Sequence, residues 1–76
     1  MGDGLAGVTT TRAWRALEAA GFALARVRGR HGTYRHADGR RVTVPLYLRR
    51  IIPEGTLRAI LRDARIGEEE FVRLVG

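Results

Sequence analysis

Cysteine, lysine and serine are absent from this 76-residue sequence. Without cysteine there are no disulfides, thiolate nucleophiles or zinc fingers. Without serine there is no serine hydrolase. Apolar runs are short, and none approaches the roughly 18 residues that a membrane span needs. No basic-then-apolar signal segment opens the chain, so a cytoplasmic protein is expected. Carboxylates are few and scattered, at Asp3, Glu18, Asp38, Glu54, Asp63 and Glu68 to Glu70, with no Asp-x-Asp pair. Metal-dependent cleavage is therefore not expected. The two histidines, His31 and His36, stand five apart and cannot share a face of a regular strand, which makes them poor joint metal ligands.

What is present is basic. Fourteen cations against eight anions give a net charge of +6, and all fourteen are arginine. Such a chain favours polyanions, and guanidinium forks bind phosphate in a bidentate way that ammonium groups cannot. Nucleic acid leads the expected partners and an acidic protein follows. With 45% hydrophobic and 29% charged residues, the composition is that of a folded domain rather than a disordered chain. A chain of this length buries only about 60% of its unfolded surface. One domain spanning 1–76 is expected, with a thin core and no deep multi-substrate cleft.

Met1 to Gly7 is glycine-rich and reads as a poorly ordered lead-in. Thr9, Thr10 and Thr11 offer N-caps for a helix whose apolar stripe is Ala13, Trp14, Leu17, Ala20 and Gly21. With Thr9 as the cap, Val8 and Ala13 occupy the two positions of a hydrophobic staple. Gly21 supplies a left-handed stop. Phe22 to Arg28 reads as a first strand, His31 to His36 as a second and Arg40 to Leu46 as a third. Pro53 ends the sheet region, and Leu57, Ile60, Leu61 and Ala64 mark a second helix. Glu68, Glu69 and Glu70 suit the N-terminus of a short last helix, which Phe71, Val72 and Leu74 tuck against the core. The order is helix, three antiparallel strands, helix, short helix: an α+β fold with helices covering one face of the sheet and the other face bare.

Loop length sets which side chains share that bare face. A two-residue loop at Asp38-Gly39 groups Val42 and Val44 with His31, Thr33 and Arg35. A three-residue loop, a type I turn ending in a glycine bulge, groups them with Gly32, Tyr34 and His36. The second register separates apolar from polar cleanly and is preferred. His31, Thr33, Arg35, Arg41 and Thr43 then share the open side.

RNA cleavage is the chemistry that needs least apparatus. The substrate brings its own nucleophile, the 2′-hydroxyl beside the scissile phosphate. One histidine can serve as general base or acid, a role typically worth about 10²–10⁴-fold. Arginines can stabilise the charge that develops on phosphorus. The residues alone leave plainer roles open: His31 as a polar strand-start residue, His36 as a hairpin-end residue, Trp14 and Tyr34 as core. Arg40 and Arg41, and likewise Arg49 and Arg50, read equally well as solvated basic surface.

Gly29-Arg30-His31, followed by Tyr34-Arg35-His36-Ala37-Asp38-Gly39-Arg40-Arg41-Val42-Thr43-Val44-Pro45, resembles the HicA toxin family of bacterial toxin–antitoxin pairs. The likeness continues through Ile52-Pro53-Glu54-Gly55-Thr56-Leu57-Arg58-Ala59-Ile60-Leu61 and ends near Glu69-Glu70-Phe71. Upstream it takes in Leu17 through Gly21-Phe22, so it covers roughly Val8 to Leu74. The resemblance implies a double-stranded-RNA-binding-domain-like fold. It also implies a metal-independent endoribonuclease that cleaves messenger RNA and arrests translation, and a HicB-like antitoxin that covers the site. The family's catalytic histidine lies in a Gly-Ser-His motif and by position falls on His31. Three departures stand out: Arg30 replaces the serine, Gly32 stands where a second histidine is common, and Tyr47 stands where Pro-x-His often follows Pro45. Arg65 also occupies a helix-end position usually held by glycine.

The expectation is thus an endoribonuclease toxin in which His31 transfers protons. Arg28, Arg30, Arg35 and Arg41 bind phosphate, and Arg40, Arg49 and Arg50 extend the basic track. Tyr47 and His36 are auxiliary candidates, and no metal or organic cofactor is implied. The main alternative is a non-catalytic RNA-binding module of the same fold. A helix-turn-helix DNA reader over Leu57 to Leu74 is disfavoured, because its recognition helix would present three carboxylates to phosphates.

Overall fold

The computed structural model describes residues 5–46 and 50–75. Helix α1 (Thr10–Ala19) leads into strands β1 (Ala23–Arg28), β2 (His31–Arg35) and β3 (Arg41–Pro45), followed by α2 (Glu54–Ala64) and α3 (Glu68–Val75). The strands form one antiparallel sheet in the order β1-β2-β3. This is the expected α+β order.

Local chemistry sets each end of α1. The Thr9 hydroxyl accepts from the Arg12 N–H at 3.2 Å, satisfying one of the free donors of the first turn. At the other end the Phe22 N–H donates to the Leu17 carbonyl (2.9 Å) and the Gly21 N–H to that of Glu18 (3.0 Å), around a Gly21 φ of +102°. That is a Schellman closure, and glycine suits it because it carries no Cβ to clash in the left-handed region. Phe22 then drops into the core beside Leu17.

The β2–β3 hairpin adopts the longer of the two loops weighed. The His36 N–H donates to the Arg40 carbonyl and the Gly39 N–H to the His36 carbonyl, both at 2.9 Å, with Gly39 at φ +100°. Tyr34 consequently faces Val42 and Gly32 faces Val44. Tyr34, Val42 and Val44 are buried under the helices with Leu17, Leu57, Ile60, Leu61 and Phe71. Burial, and secondarily the Glu18 charge, pushes the Tyr34 hydroxyl above its ordinary pKa.

Three particulars differ from the sequence reading. Leu5, placed in the unordered lead-in, is 1% exposed and belongs to the core. Backbone pairing explains it: the Thr10 N–H donates to the Arg50 carbonyl and the Ile52 N–H to that of Val8, at 2.9 and 2.8 Å, which draws the N-terminal segment in beside the approach to α2. Val72 does not tuck inward. It is 45% exposed, and α3 is seated by Phe71 with Leu74 partly buried. Helical cover also stops short of β1, whose six residues are all exposed, Leu24 and Val27 included. Among the described residues, no helix is long and apolar enough to cross a membrane.

Candidate nucleic-acid interface

The uncovered side of the sheet is a grid fixed by strand register. One row across the strands is Arg28, His31 and Pro45; the next is Arg26, Thr33 and Thr43; the third is Ala23, Arg35 and Arg41. Facing residues on neighbouring antiparallel strands have Cα atoms about 4.5–5.5 Å apart, and successive rows lie roughly 7 Å apart along a strand. His31 thus sits on the central strand with a guanidinium directly beside it. Its side chain is exposed.

Several contacts hold that end of the grid. Gly29 takes φ +60° at the first central position of the two-residue β1–β2 turn, where primed hairpin turns require it. The Leu46 N–H donates to the Arg30 carbonyl at 2.7 Å, continuing the pairing past His31. The Trp14 indole N–H donates to the Pro45 carbonyl at 3.4 Å and ties the strand flanking His31 to α1. Arg30 itself is exposed in the turn next to the imidazole.

A bulge completes the face. Leu24 pairs with Tyr34 but Arg26 with Thr33, so Ala25 is the extra residue on β1. In a regular strand Leu24 and Arg26 would point the same way. The bulge sends Leu24 to the helix side and leaves Arg26 on the open side. A shallow groove of about 350 Å³ results, lined by Ala25, Arg26, Thr33, Arg35, Arg41 and Thr43. No carboxylate occurs in any of the three strands. Among the described residues Arg26, Arg28, Arg35 and Arg41 form no salt bridge. Four cations therefore share a surface without an internal counter-ion, which is the electrostatic footprint of an anion-binding face.

The expected site residues divide accordingly. His31, Arg28, Arg35 and Arg41 come together on the open face, with Arg30 at its edge. Arg40 does not join them. Its Nε is 2.9 Å from the Asp38 carboxylate, its Nη1 donates to the Ala64 carbonyl at the end of α2 (2.6 Å), and its guanidinium lies 5.0 Å from the Phe22 ring centre. It fastens the hairpin tip to α2 on the helix side. The Arg40 backbone N–H and then its side chain hold the Asp38 carboxyl below its ordinary pKa. His36 is also on that side, edge-on to Phe22 at 5.1 Å, with Nδ1 accepting from the Asp38 N–H at 3.1 Å. Arg50 lies apart from the grid, in the segment that pairs with the start of α1. Tyr47 and Arg49 lie outside the described residues.

Sequence reasoning missed Arg26, although alternation from Arg28 across the Gly29-Arg30 turn was enough to place it. Gly32, the position of a common family histidine, faces the helix side. A Cβ there would meet the Leu24 and Leu46 methyl groups at 2.9–3.1 Å. That departure removes nothing from the open face.

A search of curated proteins returns no match. The family model for the HicA toxin of bacterial toxin–antitoxin systems matches residues 12–66, from the first turn of α1 through all three strands to the closure of α2. The chain belongs to the HicA toxin family, and its role is that of a toxin whose counterpart is an antitoxin.

Proposed function

We propose that this toxin is a metal-independent endoribonuclease that cuts messenger RNA and stops translation, with His31 moving the protons. The observation that carries the reading is an exposed imidazole on a carboxylate-free, arginine-lined sheet face, with Arg28 directly across from it. In the reaction the 2′-hydroxyl of the substrate loses its proton and its oxygen bonds to the adjacent phosphorus. The bond from phosphorus to the 5′-oxygen of the next nucleotide breaks, and that oxygen takes up a proton. His31 serves one of these transfers, while Arg28 and Arg30 stabilise the charge accumulating on the phosphoryl oxygens. A HicB-like antitoxin neutralises the toxin by covering the same face.

The purified chain is expected to cut RNA in the presence of EDTA. His31→Ala should lower the rate by about 10²-fold or more with an unchanged melting temperature, since the side chain is exposed. Full activity in that variant would remove His31 from the mechanism. RNA binding without any cleavage by the wild type would replace the reading with a non-catalytic RNA-binding module.

A further inference from the structure

The groove lies away from His31 along the sheet. Arg35 is four residues further along β2 than His31, about 13 Å at strand spacing, and Arg41 is its cross-strand partner on β3. Arg26 lines the groove from β1, and Thr33 and Thr43 line it from β2 and β3. Three guanidiniums around a polar hollow repel one another, and folding alone gives no reason to assemble them. The β1 bulge, which turns Leu24 away from the open side beside Arg26, weakens the ladder it interrupts. A bound group with several acceptor oxygens compensates both costs. A phosphodiester fits, because guanidinium forks take its oxygens in pairs and threonine hydroxyls can donate to the rest.

We infer that this groove is a second phosphate subsite, distinct from the position of the scissile phosphate at His31. The substrate is then a single strand several nucleotides long laid along β2, gripped at the Arg35 end and cut at the His31 end. The subsite rests on the ribonuclease reading for the identity of the cut end only; the grip itself is a binding property. It makes the enzyme length-selective. A dinucleotide reaches His31 but not the groove, whereas an octanucleotide reaches both.

Two measurements test this separately from cleavage chemistry. In a His31→Ala background, fluorescence anisotropy with a labelled RNA octanucleotide should show affinity falling about tenfold for each of Arg26→Ala, Arg35→Ala and Arg41→Ala. The slope of log affinity against log salt should shrink by about 0.7 per arginine removed. Arg41→Lys, which keeps the charge, should retain the slope. In the otherwise wild-type protein, the ratio of kcat/KM for the octanucleotide to that for the dinucleotide should fall by a similar factor in each alanine variant. If nothing is cleaved but binding follows these arginines, the subsite stands and the ribonuclease reading falls. If cleavage proceeds with the length ratio and salt slope unchanged by the substitutions, the subsite is overturned, and the groove is left to a carboxylate-bearing protein surface.

Discussion

Arg65 has φ 57° and ψ 40°, left-handed values, at the residue that closes α2. The closure is a second Schellman pair, with the Ile66 N–H donating to the Leu61 carbonyl and the Arg65 N–H to that of Arg62. A side chain in that region costs roughly 1–2 kcal/mol, and among the described residues the exposed arginine forms no salt bridge to offset it. Arg65→Gly should therefore stabilise the protein by about 1 kcal/mol, raising the melting temperature by about 4–8 °C; an unchanged or lower value would refute the strain. This position was legible in the sequence because a helix end has a fixed geometry. Arg40 was not. A hairpin-tip arginine next to another arginine looks solvated in one dimension, and only the folded chain brings the Ala64 carbonyl to it. Leu5 was hidden in the same way: glycine-rich surroundings suggest disorder, whereas the segment that pairs with neighbouring Val8 and Thr10 lies about 40 residues downstream, at Arg50 and Ile52.

Among the elements, α3 depends most on one contact. Arg58 of α2 is bonded to both Glu54 and Glu68 and links the two helices at their exposed surface, but exposed pairs contribute little. Phe71, 1% exposed, supplies the burial. Phe71→Ala should cost about 3–5 kcal/mol, a large share of the about 4–11 kcal/mol that a domain of this size has in total. Denaturant titration should show the loss, and amide exchange should show α3 losing protection before the sheet. Equal loss of protection in α3 and β2 would show instead that the helix unfolds only with the whole. The helices and strands were readable to within a residue or two from period and caps, and the hairpin register followed from requiring one apolar face. The β1 bulge was not readable. Nothing in Leu24-Ala25-Arg26 marks an inserted residue, and its role is visible only once Tyr34 and Thr33 are seen opposite.

Across the whole molecule charge is sorted by face. Described carboxylates lie on the helices or at the hairpin tip, and the arginine grid occupies the side the helices leave bare. If the chain binds RNA as proposed, net charge alone therefore does not govern the affinity. Arg62→Ala and Arg73→Ala each remove one cation, as Arg41→Ala does, but from helices packed across the opposite side. Both should leave octanucleotide affinity within about twofold while Arg41→Ala lowers it about tenfold; equal losses in a filter-binding assay would show a diffuse field rather than a defined face. The net positive charge could be read from composition, and its separation into faces required the register. One further consequence follows from strands that carry no acid of their own. On the proposed reading, the chain has nothing among the described residues with which to quench that side, so restraint arrives on another molecule, one that brings the negative charge the strands lack.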